Sequence, residues 1–429
     1  MKNREQFQIQ NTLNIAEVPS WFPVGFCLRT CGDRQYVGYY DTDHRMTVAC
    51  RELGSSDWQY QVLPSRVGWD SHNYITMTAD SKGYLHLSGN MHSDPLIYFR
   101  SKKPWDIEKF ERIGQMTGEE EDRCTYPEFM RDAQDRLVFH YRIGGSGNGN
   151  EIYNVYDPNT MNWERLLDEP LTDGQGKMNA YAQGPLNGPD DFFHLAWVWR
   201  DTPDCATNHH LSYARSPDLI HWESARGEPC KLPITLEDKS LWVDPIPGGG
   251  GIINSGVDLT FDHRQRPIIT YHKSDRDGNM QIYATRFEDG EWVQHQLTDW
   301  GEPIEFSGTG SMGFIGIRMS ALKRLNSSLL FLHYRHRNYG KGYIIVDEDT
   351  LQPTGRKINI PDEYPEEMNV PENDWDDIEI RRTTDNGSPE VDGIRYVLQW
   401  ETLPSNHDQS REEPLPEPSM LRLCELSLR

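Results

Sequence analysis

Hydrophobic residues along the chain come in short alternating runs, and turns rich in Asp, Gly or Asn separate these runs. Alternation with a period of two predicts β-strands. One phrase occurs seven times: a turn that leads into a β-run ending on a polar residue, as in "ADSKGYLHLSGNMH" and "RDAQDRLVFHYR". A further β-run follows each phrase, often ending at a Trp, as in "LIYFRSKKPW".

This repeat predicts an all-β fold: a seven-bladed β-propeller with four-stranded antiparallel blades, as a single domain over residues 1–429. The first phrase lacks a complete preceding strand and the last lacks a trailing one, so we expect the N-terminal segment to complete the sheet that contains "MLRLCELSL". A β-helix or a pair of sandwiches is the alternative. The repeat, at roughly 45–65 residues, is too long for β-helix coils, and no Pro- or Ser-rich linker divides the chain.

Composition and charge limit the partners and the cellular location that the protein can have. The formal net charge of −24 makes nucleic acid or an anionic membrane surface an unfavourable partner. The chain contains no apolar run of membrane-spanning length. The N-terminal segment lacks the apolar stretch of a signal peptide, which predicts a cytoplasmic protein as written, or a secreted or periplasmic one if a leader was removed. Seven Cys without a CxxC pair favour free thiols.

The stretch "DSHNYITMTADSKGYLHLSGNMHSDPL" predicts two antiparallel strands with His72 before the first and His92 after the second. In antiparallel strands, the start of one and the end of the next lie at the same edge, so the two histidines are expected close together. The same rule, applied to every blade, collects further side chains around one central funnel. Second-strand ends supply His92, Tyr141, Arg142, Arg200, His272 and Arg335, and first-strand starts supply His72, Tyr126, Tyr181, Asn254 and Arg318.

These residue types suit one chemistry. Imidazole can take a proton near neutral pH, Tyr can donate one, and Arg or a second His can neutralise a carboxylate. Together they describe β-elimination from a uronic acid, in which the C5 proton is removed and the sugar on O4 is expelled. A glycosidase would prefer two carboxyl groups beside the bond. By the strand rule this face is poor in acids, with Asp41 and Glu401 as exceptions.

Five phrases carry a family resemblance: "SHNYITM", "GYLHLSGNMHSDPLIYFRS", "TYPEF", "LVFHYRIGGSGNGNEIYNVYD" and "HLAWVWR". They resemble the BNR-type-repeat propellers that include ulvan lyases, and more closely the L-rhamnose-α-1,4-D-glucuronate lyases acting on gum arabic side chains. The likeness covers most of the chain and is strongest from about residue 69 to residue 222. It implies a polysaccharide lyase that acts on a uronic-acid-containing oligo- or polysaccharide, cleaves between terminal rhamnose and glucuronate, and leaves an unsaturated uronate.

The resemblance also implies roles for residues. His92 would be the base at C5, Tyr141 the acid, and His72 with Arg200 would hold the uronate carboxylate. The remaining funnel residues are candidate substrate-binding groups, namely Arg142, Tyr126, Tyr181, Asn254, His272 and Arg335. Some relatives are α-L-rhamnosidases that use a histidine on the opposite face, for which His44 is the candidate here. A non-catalytic sugar-binding propeller is the other alternative.

Three further segments bear on metal binding, substrate contact and the closing blade. We expect no catalytic metal and no cofactor, while a structural metal ion stays possible: Cys205, His209, His210 and Cys230 offer soft ligands at an irregular spacing for zinc. The run "GGSGNGN" lacks the GK[ST] ending of a phosphate loop, so it predicts a flexible loop that approaches substrate. The stretch "SNHDQSREEPLPEP" predicts an insertion between strands of the closing blade, without chemistry of its own.

Overall fold

The computed structural model describes residues 7–387, 390–391 and 393–428. These residues form thirty β-strands, which join into seven antiparallel sheets, and four short 3-10 helices. The 3-10 helices are Cys205–Thr207, Lys239–Leu241, Asn254–Gly256 and Glu366–Asn369. None of the helices in the described part of the chain is long and apolar enough to cross a membrane.

The first three sheets lie in the N-terminal part of the chain and are numbered here in chain order. Sheet 1 contains β2 (Cys27–Cys31), β3 (Arg34–Tyr40), β4 (Arg45–Glu52) and β5 (Gln59–Arg66). Sheet 2 contains β6 (Ile75–Ala79), β7 (Leu85–Gly89), β9 (Tyr98–Ser101) and β10 (Phe110–Ile113). Sheet 3 contains β8 (His92–Asp94), β11 (Cys124–Arg131), β12 (Leu137–Gly145), β13 (Asn148–Asp157) and β14 (Asn162–Arg165).

The next three sheets follow in chain order, and in sheet 6 the first two strands both pair with the third. Sheet 4 contains β15 (Asn179–Asn187), β16 (Phe193–Arg200), β17 (Asn208–Ser216) and β18 (Trp242–Asp244). Sheet 5 contains β19 (Val257–Phe261), β20 (Pro267–Ser274), β21 (Met280–Glu288) and β22 (Glu291–Gln296). Sheet 6 contains β23 (Ile317–Met319), β24 (Lys323–Arg324), β25 (Leu329–His336) and β26 (Gly340–Asp347).

Sheet 7 joins the two ends of the chain. It contains β1 (Phe7–Val18), β27 (Glu379–Thr384), β28 (Glu390–Val391), β29 (Ile394–Thr402) and β30 (Ser419–Leu428). The N-terminal strand β1 pairs with β30 along its length, which confirms the predicted sharing of one sheet by the N-terminal segment and "MLRLCELSL". Sheet 7 also touches sheet 1, because Thr30 donates its backbone N–H to Asp385 over 2.8 Å.

The core lies between sheets. In β16 every residue is buried, with Trp197 and Trp199 in one cluster and Ala196 and Val198 in another. Successive side chains of a strand point to opposite faces, so this sheet is covered on both sides. The seven cysteines are free thiols, as predicted.

Candidate active site

His72 and His92 lie side by side, with ring centroids 4.3 Å apart. His72 precedes β6 of sheet 2, whereas His92 begins β8, which leaves sheet 2 and pairs with β11 of sheet 3 opposite Thr125. The chain then returns to sheet 2 as β9. This crossing places His92 on the border of two sheets, and the predicted proximity of the two histidines is confirmed.

Asp70 holds both rings. Its Oδ1 accepts the backbone N–H of His72 over 2.9 Å, the short-range turn that Asp favours. The same Oδ1 lies 2.8 Å from Nδ1 of His72, and Oδ2 lies 2.5 Å from Nδ1 of His92. Since Asp70 uses Nδ1 of both rings, Nε2 of each ring is the atom available to a substrate. Burial opposes the charge of Asp70, but hydrogen bonds from the two histidines outweigh it and lower the pKa of this carboxyl to about 2.

A second carboxylate reaches His72 from the far end of the chain. Asp408 Oδ2 lies 3.2 Å from Nδ1 of His72, and the Asp408 carboxylate also accepts the backbone N–H groups of Ser71 and Ser311 over 3.1 and 2.8 Å. Burial disfavours the imidazolium, yet hydrogen bonds to Asp408 and Asp70 outweigh burial and raise the pKa of His72 to about 9. His72 is therefore a cation at neutral pH.

These four side chains also form a possible metal-binding group. Each residue offers one ligand atom, and the four atoms lie within 4.8 Å of one another; the residues are Asp70, His72, His92 and Asp408. The soft ligands considered for zinc do not form such a group among the described residues. His209 instead contacts His210 through the Nδ1 atoms, 2.7 Å apart, and its Nε2 lies 2.9 Å from Asp201.

Tyr126 packs against both histidines, with ring centroids 6.0 Å from His72 and 6.3 Å from His92. It lies in a β-bulge, because the pairing of β11 with β12 is irregular between Thr125 and Glu128. Its φ of 55° is in the left-handed region, which is costly for a bulky residue and is concentrated at functional sites. Burial, followed by the charge of Tyr181, raises the pKa of the Tyr126 hydroxyl, which therefore carries its proton at neutral pH.

Two arginines lie against the tyrosine rings. The Arg142 guanidinium is 5.0 Å from the ring centre of Tyr126 and 5.4 Å from that of Tyr181, and the Arg200 guanidinium is 5.2 Å from Tyr181. Burial alone would raise the pKa of Tyr181, but the charges of Arg142 and Arg200 outweigh it and lower this pKa. The Tyr181 hydroxyl lies 2.8 Å from Oγ of Ser146, in the predicted "GGSGNGN" loop.

The Arg142 side chain is buried, with an exposed fraction of 1%. Within the part of the chain that the structure describes, none of its three guanidinium nitrogens has a hydrogen-bond partner. A buried polar group without a partner is uncommon and calls for an explanation. Arg200 differs, since its Nε donates to the carbonyl of Thr202 over 3.1 Å and its Nη2 to that of Pro203.

A cavity of about 660 Å³ joins these groups, a size typical of small-ligand sites. Its lining includes most of the predicted site residues, namely His72, His92, Tyr126, Tyr181, Arg200 and Asn254. Ser146 lines it too, so the "GGSGNGN" run reaches the cavity, but as the paired turn between β12 and β13 and not as the flexible loop that was predicted. The backbone is tight there: a Cβ on Gly147, whose φ is 79°, would lie 2.7 Å from Cα of Thr202.

Two carboxylates and one histidine of the lining were missed from the sequence: Glu128, Glu151 and His140. Glu128 Oε2 lies 3.2 Å from Nε2 of His140, and this hydrogen bond lowers the pKa of the exposed Glu128 carboxyl. Burial raises the pKa of Glu151. The two exceptions named from the sequence lie elsewhere: Asp41 binds Arg45, and Glu401 accepts the backbone N–H groups of Glu372 and Asn373. The expectation that the funnel face has few acidic residues is therefore wrong.

Tyr141 does not face the cavity, which corrects its predicted place on the funnel. It is fully buried in the cluster that contains Tyr98 and Cys124. Its hydroxyl donates to the carbonyl of Glu120 over 3.0 Å and accepts from Arg165 over 3.1 Å. Adjacent residues of a strand point to opposite faces, so the neighbouring Arg142 reaches the tyrosine rings while Tyr141 enters the core.

Three predicted substrate-binding residues also lie outside the cavity lining: Arg142, which adjoins it behind the tyrosine rings, His272 and Arg335. His272 is buried, its Nδ1–H donates to the carbonyl of Gly251 over 2.8 Å, and burial lowers its pKa to about 4. Arg335 is exposed, with its guanidinium 4.3 Å from the ring centre of Phe314. His272 and Arg335 were both predicted from strand position, but neither lines the cavity that holds the histidine pair.

His44 lies in an aromatic cluster, where Trp21 donates to its Nε2 over 2.9 Å and Phe22 and Trp69 pack against the ring. It follows β3, the second strand of its sheet, as His92 follows β7. The turn after β7 contacts the end of β5, where Asn90 donates to Ser65 over 2.9 Å, close to the His44 turn. His44 therefore lies at the same end of the sheets as His92, and its expected place on the opposite face is corrected.

The fold and the cavity define an all-β protein with a polar, histidine- and arginine-bearing site of sugar size. The chain belongs to the BNR repeat-containing family, whose model matches residues 34–300. Among curated proteins it is similar to the long isoform of ulvan lyase from Alteromonas sp. (strain LOR), with 24% identity over 144 residues. The corresponding protein from Pseudoalteromonas sp. (strain PLSV) is 26% identical over 146 residues. Each alignment covers 30% of this chain and 14% of the relative, so the chain spans a small part of their length.

Solved structures share the fold over nearly the whole chain. A polysaccharide lyase structure covers 98% of this chain and 100% of its own, at 12% identity and a TM-score of 0.64. An ulvan lyase from a new polysaccharide lyase family covers 93% of this chain and 94% of its own, at 14% identity and a TM-score of 0.59. The same lyase has been solved bound to "-[GlcA(1-4)Rha3S]-".

Proposed function

We propose that this protein is a polysaccharide lyase built on a single seven-bladed β-propeller, and that it cleaves the α-1,4 bond between terminal L-rhamnose and D-glucuronate by β-elimination. One observation carries the proposal. Asp70 holds two histidines, and both lie beside Tyr126, whose backbone is strained, in a cavity that Arg200 lines and Arg142 adjoins. The sheet order, with sheet 7 touching sheet 1, supports a ring of blades.

The positive groups fit the substrate's carboxylate. His72 is held as imidazolium by Asp70 and Asp408, and it lines the cavity together with Arg200. Arg142 adds a buried positive charge beside Tyr126 and Tyr181. Removing the C5 proton moves negative charge onto the carboxylate, so fixed positive charge at this point stabilises the transition state more than the ground state.

His92 and Tyr126 fit the two proton transfers. In this proposal, His92 takes the C5 proton through Nε2, while Asp70 orients the ring through Nδ1 and compensates its new charge. The electron pair of the C5–H bond forms the C4–C5 double bond as the C4–O4 bond breaks. Tyr126, which carries its proton and touches both imidazole rings, protonates the departing oxygen. Tyr126 thus replaces Tyr141, whose hydroxyl is engaged in the core.

The relatives support the substrate class. They are ulvan lyases, and the structurally similar lyase was solved with an oligosaccharide of GlcA and Rha3S. A uronate-containing oligo- or polysaccharide is therefore the proposed substrate, with the glucuronate in contact with His72 and Arg200. Cleavage at the chain end, as in gum arabic side chains, is the finer part of the proposal.

One observation favours a second candidate, an α-L-rhamnosidase. Glu128 and Glu151 both line the cavity, and the pKa of Glu128 is lowered while that of Glu151 is raised. Glycoside hydrolysis uses such a pair, in which one group is an ionised carboxylate and the other a protonated carboxylic acid. In that reaction Glu151 would donate the proton and Glu128 would act as base or nucleophile.

A screen of uronate polysaccharides with two parallel readouts tests the proposal. Elimination creates a double bond conjugated to the carboxylate, so ultraviolet absorbance should grow as rhamnose is released from gum arabic or ulvan. Rhamnose release without absorbance would assign the hydrolase. Absorbance growth accompanied only by large fragments would contradict cleavage at the chain end. Binding without any product would leave a non-catalytic sugar-binding protein and overturn the proposal.

A further inference from the structure

Sheet 6 carries three like charges in one line across its strands. Arg318 of β23 pairs with Arg335 of β25, and Arg335 pairs with Lys341 of β26. Residues directly opposite each other in antiparallel strands place their side chains on the same face, so the three cations are neighbours. All three are exposed. We call these residues the cation ladder.

The cation ladder lacks compensation within the described part of the protein. None of its three members has a carboxylate within ion-pair distance among the described residues, although the chain has 67 acidic and 43 basic residues. Like charges directly opposite each other in a sheet are destabilising. The cation ladder therefore leaves exposed positive charge to which an anion from outside the protein can bind.

A depression of about 400 Å³ extends the cation ladder toward sheet 7. Arg318, Arg381, Arg382 and Asn369 line it, with Glu379 as its acidic member. Glu379 lies 3.0 Å from Nη2 of Arg381, while Nε of Arg381 is buried without a hydrogen-bond partner. Arg382 is already engaged, since its Nε donates to Gln399 over 2.8 Å. Arg318 is exposed and makes no ion pair with the described residues, so it can bind a ligand, and the buried Nε of Arg381 adds a second unpartnered donor in the same lining.

The depression neighbours the candidate active site through a second depression. Arg381 and Arg382 also line this second depression of about 530 Å³. The second depression shares Tyr74 and Glu128 with the cavity that holds His72 and His92. A chain bound in the cavity would cross these shared residues to reach Arg318.

We propose that the cation ladder and Arg381 form a distal subsite for an anionic group, carboxylate or sulfate ester, of the same polysaccharide chain. The inference rests on the proposed function, because the chain cleaved in the cavity supplies the anion. When terminal rhamnose leaves, the glucuronate and the chain attached to it remain, and this retained part occupies the subsite. Arg suits both anions, since its planar fork binds their oxygens in pairs.

The double variant Arg318→Gln/Arg335→Gln tests the subsite, with Lys109→Gln, at another exposed lysine in the loop before β10, as control. KM for ulvan polymer should rise on the order of tenfold in the double variant, since each charged hydrogen bond contributes about 1.5–3 kcal/mol and part of it is screened. KM for the shortest cleavable oligosaccharide should not change. The Lys109 variant should match wild type on both substrates.

Chemically modified polymers identify the anion that binds, and thermal unfolding measures the repulsion among the charges. Desulfated ulvan should abolish the KM difference between wild type and the double variant if sulfate binds, and carboxyl-reduced polymer should abolish it if a distal carboxylate binds. Thermal unfolding of the free double variant should occur at the wild-type temperature or slightly above, because a repulsion is removed. An unchanged KM for the polymer, or an equal rise for the shortest substrate, would overturn the subsite. A wild-type protein that cleaves no uronate polymer would refute the proposed function instead, and calorimetric titration with ulvan would still test the cation ladder.

Discussion

The two sides of the cavity balance their charges in different ways. On the histidine side, Asp70 and Asp408 hold His72 and His92 through charge-assisted hydrogen bonds of 2.5–3.2 Å. On the tyrosine side, Arg142 and Arg200 lie over aromatic rings, and no acid of the described residues pairs with either arginine. One side thus carries its own counter-charges, whereas the other leaves positive charge for a ligand.

This difference separates two tasks. Carboxylates orient the imidazole rings and fix their protonation, which is what a proton acceptor and a charged contact need. Arginines without an acidic partner beside a cavity attract a carboxylate, and this attraction grows as negative charge builds on the carboxylate. The cavity is therefore organised for one anion beside one transferred proton, and each side can be tested on its own.

The largest effect is expected on the histidine side. His92→Ala should lower kcat by about 10⁴-fold, at the upper end of the range for a general base, because no other group on Asp70 can take its place while His72 is charged. The melting temperature should stay near that of wild type. His44→Ala is the control histidine and should change kcat by only a few-fold. An active His92 variant beside an inactive His44 variant would move the chemistry to the aromatic cluster around His44.

The tyrosine side is tested by two matched substitutions. Tyr126→Phe should lower kcat by about 10²–10³-fold, since it removes the proposed proton donor without changing the packing of the ring. Tyr141→Phe should keep most activity but lose about 1 kcal/mol of stability, because it removes a buried hydroxyl that bonds Glu120 and Arg165. Kinetics and thermal unfolding of both variants distinguish the two roles, and the reverse pattern would restore Tyr141 as the acid.

The pH dependence of stability reports on His72. Its pKa of about 9 is raised above the ordinary value near 6.5, so its contribution is complete below about pH 6.5 and is lost as the pH rises through 9. Wild type should therefore lose a few degrees in melting temperature between these pH values, and His72→Gln should lose less. Equal slopes for the two proteins would contradict a charged His72.

Asp408 should give the smallest effect. Asp408→Asn removes one of two carboxylates at His72 while Asp70 stays in place, so kcat/KM at neutral pH should fall roughly two- to fivefold. The alkaline limb of the pH profile should shift to lower pH, since the imidazolium loses a partner. Steady-state kinetics over a pH series measure both changes. A lower activity with an unshifted alkaline limb would assign Asp408 to the fold of its loop alone.

Local pattern predicted the strands, the shared sheet of the chain ends and the meeting of His72 with His92, because antiparallel pairing follows from alternation and turns. It misplaced Tyr141 because the end of a strand does not show which of two adjacent residues, Tyr141 or Arg142, faces the site. It missed Asp408 because the stretch 405–418 is an irregular insertion between β29 and β30, as expected, yet it folds back onto Ser71 and His72. Contacts between residues more than 300 positions apart leave no periodic signal.

Asp70 was within reach of the sequence, since it stands two residues before His72 in the stretch that predicts the pair. An Asp at this spacing favours a turn, which would have placed its carboxylate beside the ring. Its second contact, to His92, depends on the crossing of β8 to sheet 3 and could not be predicted from turn chemistry.

The mass of the product tests the central claim most directly. Wild type should be incubated with a rhamnose–glucuronate oligosaccharide, and the glucuronate-terminated product should be weighed by mass spectrometry. Elimination predicts a product lighter by one water than the hydrolysis product, with a C4–C5 double bond in place of the O4 hydroxyl. A saturated glucuronate that carries the added water would contradict the account and assign the cavity to hydrolysis by Glu128 and Glu151.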